Sequence, residues 1–106
     1  MNPSIWGPRA WFFLHSVTLN YPLYPSESDK TNYRDFFESI AHILPCDKCK
    51  HHYKENLVKY PIQLGTRDQL IQWMIDIHND VNIKTKNLFN TYPEQENNLK
   101  FGYICP

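Results

Sequence analysis

Cysteine, glycine and long apolar runs are all scarce in this chain of 106 residues, which has three cysteines and three glycines. Small secreted proteins that are held together by disulfides have more cysteines, usually in even number, so that class is excluded. No apolar run approaches the roughly 20 residues of a membrane-spanning helix, and we expect no membrane span. The first residues also lack the basic region and the apolar run of a secretory signal. We therefore expect a globular domain that folds without disulfide bridges.

A net charge is also missing, because 11 basic residues balance 11 acidic residues. Domains that bind nucleic acid carry a basic face and a high isoelectric point, so we expect no nucleic-acid partner. The length is typical of one domain, which would cover residues 1–106. A chain of this length buries about 60–70% of the surface of its unfolded state, which is enough for a hydrophobic core.

The clearest chemical motif is a pair of cysteines three positions apart, Cys46 and Cys49, directly after Pro45. Proline is favoured at the first position of a helix, which predicts that both thiols lie in the first helical turn. The partial positive charge of a helix N-terminus stabilises a thiolate, which is the attacking species in disulfide exchange. The motif alone leaves two alternatives open. The cysteines are two ordinary buried thiols, or they are half of a zinc site that His51, His52 or a distant histidine completes.

Apolar residues recur at helical spacing along most of the chain, and no segment alternates convincingly as a strand does. We expect an all-α fold, a bundle of four main helices with a short fifth helix. Ser28 is the expected N-cap of the second helix, and Thr66 with Gln69 forms a capping-box pattern before the fourth. The helices are predicted at about 8–20, 29–44, 45–60, 67–82 and 93–100, with a polar linker at about 85–91.

The first helix is expected to begin at Pro8 and to be buried on more than one side, because Phe12 and Phe13 widen its apolar stripe. Trp11 and His15 lie one turn apart on that stripe. Both residues face a bound group, or His15 is a core histidine that is hydrogen-bonded to the backbone.

The apolar stripe of the fourth helix ends in polar residues, His78, Asn79 and Asn82. A stripe that ends in this way indicates the mouth of a pocket, because buried polar groups need partners and a planar polar ligand would supply them. The alternative is that these residues cap the end of the helix and meet water.

Three blocks of the sequence form a pattern that no block forms alone. They are Trp6-Gly7 with Trp11 and Leu14-His15, then Leu44-Pro45-Cys46-Asp47-Lys48-Cys49, then Trp73 with His78-Asn79-Asp80-Val81-Asn82. In this order and at these separations they resemble the Erv/ALR family of FAD-linked sulfhydryl oxidases, most of all the short versions carried by large cytoplasmic DNA viruses. The resemblance implies a helical bundle that cradles FAD at its mouth, with the isoalloxazine ring beside the CxxC pair.

The resemblance also implies a role for individual residues. Cys46 and Cys49 would be catalytic: a substrate thiolate attacks Cys46, and Cys49, which is nearer the flavin, passes two electrons to the ring. Oxygen would then take these electrons and form hydrogen peroxide, or another acceptor would take them. The residues that bind the cofactor would be Gly7, Trp11, His15, Cys49, His78, Asn79, Val81, Asn82 and Lys84, with Lys84 reaching a phosphate.

Partners and location follow from the same resemblance. It implies protein thiol substrates or a thioredoxin-like relay protein, molecular oxygen as electron acceptor, and a homodimer. It implies the cytoplasm of an infected cell or the virion as the location, with the mitochondrial intermembrane space as the alternative. The family often carries a second, structural cysteine pair, which is absent because no cysteine lies between Cys49 and Cys105. Cys105 is a shuttle thiol, a bridge between subunits or a residue with no role, and Gly102-Tyr103 stands where the family has Gly-Trp.

A rival interpretation is a small zinc-binding interaction module that uses Cys46, Cys49, His52 and His78 as its four ligands. It leaves the Trp11 and His15 stripe unexplained. A thioredoxin-like thiol exchanger is a third class, but it needs strands around the CxxC pair, and the pattern predicts none.

Overall fold

The protein is an antiparallel arrangement of four helices in the part of the chain described here, residues 1–89 of a computed structural model, with side chains to residue 84. The helices are α1 (Pro3–Leu19), α2 (Glu27–Ile43), α3 (Asp47–Lys59) and α4 (Arg67–Phe89). No strand occurs in residues 1–89, so the prediction of an all-α bundle of four main helices is confirmed. The predicted helix at about 93–100, the Gly102-Tyr103 pair and Cys105 lie outside the described residues.

Helix α1 begins earlier than predicted. The Asn2 side chain accepts a hydrogen bond from the Ser4 N–H at 2.9 Å, and Pro3 takes the first helical position. The predicted start at Pro8 is wrong, because an asparagine N-cap followed by a proline is the stronger start signal. Pro8 lies inside the helix, where it lacks the N–H that would otherwise bond to the Ser4 carbonyl.

Helices α2 and α3 each begin two positions away from the predicted residue. Ser26, not Ser28, is the N-cap of α2, and it forms a capping box with Asp29: each side chain accepts a hydrogen bond from the other residue's N–H. Cys46 is the N-cap of α3, so Pro45 precedes the helix and is not its first residue. The capping oxygen and sulfur atoms decide these starts, because they satisfy N–H groups that have no partner inside the helix.

Helix α4 extends to Phe89, so the predicted polar linker is wrong for residues 85–89. The sequence there contains no proline or glycine that would stop a helix. At the other end, Thr66 acts as the predicted cap, because its hydroxyl accepts a hydrogen bond from the Gln69 N–H at 3.1 Å. No helix in the described part of the chain is long and apolar enough to cross a membrane.

The core is formed mainly by α2, α4 and the loops that join the helices. Phe37 of α2 meets Trp73 of α4 edge to face, with ring centroids 5.2 Å apart. The expectation that α1 is buried on more than one side is wrong, since Phe12 and Phe13 are each 58% exposed. The buried apolar residues are Tyr21, Phe37, Ile40, Ala41, Tyr53, Leu64, Leu70, Trp73, Met74 and Ile77.

Two pairs of contacts fix the direction of the helices. Arg67 at the start of α4 donates to the Tyr21 carbonyl beyond the end of α1, and His78 meets His15 further along, so α1 and α4 are antiparallel. Contacts of Trp73 with the Tyr60 carbonyl and of Lys84 with Asn56 make α3 and α4 antiparallel in the same way. The first halves of α1 and α3 therefore lie at the same end of the bundle as the second half of α4.

Candidate functional site

The two cysteines of the CxxC motif form a disulfide, with their Cα atoms 5.2 Å apart. As the N-cap of α3, Cys46 accepts a hydrogen bond from the Cys49 N–H through its sulfur, at 3.2 Å. Both residues are half-buried. When the disulfide is reduced, this N–H and the helix dipole favour the thiolate form at position 46. The motif therefore lies where disulfide exchange needs it, on a helix N-terminus that solvent can reach.

The charged residues next to the cysteines belong to the outer face of α3. Lys50 lies 3.7 Å from the Asp47 carboxylate, and His51 lies 3.6 Å from the Glu55 carboxylate. Among residues 1–89 no three His, Cys, Asp or Glu side chains are grouped so that they could hold a metal ion. The four ligands of the zinc alternative are not brought together, and His78 is hydrogen-bonded to His15 inside the bundle. The zinc-binding interpretation is therefore not supported.

Three ring side chains predicted to face a ligand come together between α1 and α4. The Trp11 ring stacks on the His78 ring, with centroids 4.0 Å apart and planes 9° from parallel. His15 Nε2 and His78 Nδ1 are 2.9 Å apart and share a hydrogen bond. Both histidines are buried, at 3% and 0% exposure. Burial, together with the nearby His78, lowers the pKa of His15 to about 3, so His15 is neutral at physiological pH.

Two further predicted residues could contact a ligand: one has open space beside its Cα atom, and the other has a buried acceptor with no hydrogen-bond partner. A Cβ atom placed on Gly7, which is half-buried, would meet no heavy atom within 4 Å. The Oδ1 atom of Asn79 is buried and has no hydrogen-bond partner. Because buried polar atoms in native proteins are nearly always paired, the Asn79 carbonyl indicates a missing donor.

The polar end of α4 forms a charged network with α3. Lys84 Nζ lies 3.1 Å from Asp80 Oδ2 and 3.4 Å from Asn56 Oδ1, and Lys59 Nζ lies 3.3 Å from Asp80 Oδ1. Burial of Asp80 raises its pKa, but the hydrogen bonds and charges of Lys84 and Lys59 outweigh burial and lower the pKa overall. Asp80 is therefore ionised and holds both ammonium groups.

Asn56 is a residue of this network that the sequence interpretation missed. Its side chain is fully buried, and its Nδ2 atom has no hydrogen-bond partner. The signal was present in the sequence, because Asn56 lies seven positions after Cys49 and three after Tyr53, on the inward face of α3. Leu57, the next residue, is half-buried and packs against the core.

The remaining predicted cofactor-binding residues, Val81 and Asn82, are half-buried on α4. The predicted residues of α1 and α4 contact each other directly through the ring cluster. Cys49 lies on a different helix, α3, two turns before Asn56. It belongs to the same end of the bundle because α3 and α4 are antiparallel, and Met1 at the start of α1 bonds to the Pro45 carbonyl at 3.1 Å.

Comparison with known proteins gives a consistent result. The model of the Erv1 / Alr family matches residues 8–99. A probable FAD-linked sulfhydryl oxidase of Acanthamoeba polyphaga mimivirus is 46% identical over 97 residues, which cover 89% of this chain and 68% of that protein. An FAD-linked sulfhydryl oxidase of African swine fever virus is 30% identical over 98 residues, covering 87% of this chain and 77% of that protein.

The cellular relatives are longer than this chain. The mitochondrial FAD-linked sulfhydryl oxidase ERV1 of Saccharomyces cerevisiae is 32% identical over 80 residues, which cover 76% of this chain but 42% of that protein. The crystal structure of the FAD binding domain of Erv1 from the same yeast superposes with a TM-score of 0.78 at 31% identity. That match covers 81% of this chain and 82% of the other. The resemblance inferred from the three sequence blocks is thus confirmed, and the chain belongs to the Erv1/Alr family.

Proposed function

We propose that this protein is an FAD-dependent sulfhydryl oxidase that makes disulfide bonds in protein substrates through Cys46 and Cys49. The observation that carries the proposal is the position of the Cys46–Cys49 disulfide. It lies at the N-terminus of α3 and beside the start of α1, because the Met1 ammonium donates a hydrogen bond to the neighbouring Pro45 carbonyl at 3.1 Å, and α1 carries Trp11 of the stacked Trp11–His78 pair. The relatives named FAD-linked sulfhydryl oxidases support the same activity.

The candidate site residues of α1 and α4 suit a bound flavin nucleotide. Such a cofactor has flat rings, hydrogen-bonding edges and a diphosphate, and it needs stacking surfaces, polar partners and cations. Trp11 and His78 offer ring faces, Asn79 offers a buried acceptor, and Lys84 offers a cation. The space beside Gly7 allows close approach to the backbone of α1. We propose that these residues hold FAD together with His15, Cys49, Val81 and Asn82.

The chemistry of the chain itself is thiol–disulfide exchange. A substrate thiolate attacks the Cys46 sulfur, breaks its bond to Cys49 and forms a mixed disulfide, and Cys49 leaves as a thiolate. A second substrate thiolate then attacks the substrate sulfur of the mixed disulfide and releases Cys46. The substrate leaves oxidised by two electrons, and Cys46 and Cys49 are left as a dithiol. When bound, FAD would supply the electron chemistry, as the acceptor of the electron pair of the dithiol and its donor to oxygen, with hydrogen peroxide as the product.

We also propose that the protein acts as a homodimer. The supporting feature is the apolar surface of α1, where Phe12 and Phe13 are each 58% exposed and Leu19 is 55% exposed. A second copy that covers this face would bury large aromatic surface, as dimer interfaces commonly do. Sedimentation equilibrium would test this, because Phe12→Asp with Phe13→Asp should give monomers where the original protein gives dimers.

We propose the cytoplasm of an infected cell or the virion as the location, because viral sulfhydryl oxidases are among the relatives. The mitochondrial intermembrane space is the alternative that the yeast mitochondrial relative supports. The substrate is a protein thiol or a thioredoxin-like relay protein. Fractionation of infected cells with an antibody to this protein would distinguish the two locations.

The activity is tested by oxygen consumption with dithiothreitol after loading the protein with FAD. Cys46→Ser and Cys49→Ser should each lower turnover by at least about 100-fold, because each breaks the two-thiol relay. Cys105→Ser is the matched control, since a small dithiol can reach Cys46 and Cys49 directly. Substantial turnover in either CxxC variant would contradict the proposal.

A further inference from the structure

A buried side chain between α3 and α4 has an unused hydrogen-bond donor. Asn56 is 0% exposed, its Oδ1 lies 3.4 Å from Lys84 Nζ, and its Nδ2 has no partner. An ammonium group can only donate, so the Asn56 atom that faces Lys84 must be the carbonyl oxygen. The atom that remains is therefore the NH₂ group, and it requires an acceptor that residues 1–84 do not supply.

The same network holds the Lys84 ammonium in place with a donor to spare. Lys84 has three N–H bonds; the Asn56 carbonyl accepts one of them, and the ammonium group pairs with the Asp80 carboxylate at 3.1 Å. Asp80 is itself buried and is braced from the other side by Lys59. The three charged groups sum to one positive charge, since Lys59 and Lys84 flank a single carboxylate. This leaves the Asn56 NH₂ group and an N–H of Lys84 without an acceptor in a region of net positive charge, which is the chemistry that binds an anion.

From this geometry we propose that Asn56 is a further cofactor-binding residue, and that its NH₂ group and Lys84 together bind the diphosphate of FAD. The inference rests on the proposed function, because it takes FAD as the ligand. Asp80 is a positioning residue: it fixes Lys84, which in turn orients the Asn56 amide. Asn56 lies two turns after Cys49 on the same face of α3. The inference thus gives α3 a second residue that contacts the cofactor, in addition to the catalytic Cys49.

The test compares flavin binding with the stability of the cofactor-free protein in Asn56→Leu. Leucine has a similar volume but no polar atoms, so it removes the unsatisfied donor. The cofactor-free variant should melt at the same temperature as the original protein or above it, whereas FAD should bind on the order of tenfold more weakly, the effect of one lost hydrogen bond to a charged group. If Asn56 had only a structural role, its replacement would also lower the melting temperature of the cofactor-free protein.

Riboflavin and Asp80 variants sharpen the test. Riboflavin lacks phosphate, so its affinity should be the same for the original protein and for Asn56→Leu. Asp80→Asn should weaken FAD binding, and Asp80→Glu should restore most of it because the carboxylate that holds Lys84 returns. Asn32→Leu, on the exposed face of α2, is the control for the Asn-to-Leu change and should leave FAD affinity unchanged.

Three outcomes would overturn the inference. They are unchanged FAD affinity in Asn56→Leu, an equal loss of riboflavin affinity, and loss of FAD binding together with a lower melting temperature of the cofactor-free protein. Failure of the proposed function is distinguishable, because in that case the original protein itself would bind no FAD.

Discussion

His15 Nε2 and His78 Nδ1 share a buried hydrogen bond of 2.9 Å that joins α1 to α4. One ring must donate and the other must accept, so the bond needs at least one neutral imidazole. The Trp11 ring lies flat against His78 and shields the pair from water. This contact links the two helices that carry most of the predicted cofactor-binding residues.

The free energy of unfolding of the cofactor-free protein should fall as the pH falls from about 6.5 towards 3. The pKa of His15 is about 3 in the folded protein and 6.5 in the unfolded chain. Between these values the unfolded chain binds more protons, so acid favours it, by at most about 1.4 kcal/mol for each pH unit. Urea unfolding at several pH values measures how the free energy of unfolding changes with pH.

His15→Gln should make this change with pH smaller, whereas His42→Gln, at an exposed histidine of α2, should not. Equal slopes in all three proteins would contradict this assignment.

Gly7→Ala should have opposite effects on folding and on flavin binding. Alanine stabilises a helix interior by about 0.5–1 kcal/mol relative to glycine, and the added Cβ would meet no atom of the protein within 4 Å. The cofactor-free variant should therefore be more stable, while FAD should bind more weakly because the methyl group occupies space beside the ligand. Isothermal titration and thermal melts measure the two effects. Ser16→Ala, on an exposed position of α1, serves as the control. FAD affinity equal to that of the original protein would show that no ligand approaches Gly7.

Ser26→Ala should lower the free energy of unfolding by about 1 kcal/mol, the usual cost of losing an N-cap side chain. The Ser26 hydroxyl accepts the Asp29 N–H at 3.0 Å, so alanine leaves that donor without its partner. Ser28→Ala is the matched control, because Ser28 is exposed and lies inside the first turn. Its effect should stay within about 0.5 kcal/mol. If Ser28→Ala lowered the free energy of unfolding more than Ser26→Ala, Ser28 rather than Ser26 would be the N-cap of α2.

Tyr21→Phe should lower the free energy of unfolding by about 1–2 kcal/mol. The Tyr21 hydroxyl is buried and donates to the Leu64 carbonyl at 2.7 Å, while the Tyr21 carbonyl accepts from Arg67. Tyr21 thereby ties the end of α1 to the loop before α4. Tyr24→Phe is the control, since Tyr24 is 93% exposed. Equal urea midpoints for the two variants would contradict a stabilising role for the Tyr21 hydroxyl.

The periodicity of the sequence predicted the core better than it predicted the ends of the helices. Leu70, Trp73, Met74 and Ile77 are all buried as the stripe of α4 requires. Burial follows from helical spacing because an apolar face must be covered. The ends depend instead on single hydrogen bonds to caps. Two serines close together offer similar caps in sequence, and only the packed structure selects Ser26.

The candidate site was predictable where it consists of side chains at family-like spacing, and less so where it depends on contacts between helices. The sequence placed His15 and His78 on inward faces but could not reveal that they bond to each other. Asn56 was missed because it lies in a mostly polar helix, where a buried polar side chain does not stand out, although its spacing from Cys49 places it on the inward face. The exposure of Phe12 and Phe13 could not be foreseen either, since an apolar side chain that covers the core and one that forms an interface look alike in sequence.

The most direct test of the account is the visible spectrum of the FAD-loaded protein during anaerobic reduction by dithiothreitol. We expect the oxidised flavin absorbance to be lost and to return with air. In Cys49→Ser it should persist under the same conditions, because electrons reach the flavin through Cys49. Bleaching of Cys49→Ser at the rate of the original protein would contradict the central claim that the CxxC pair passes electrons to FAD.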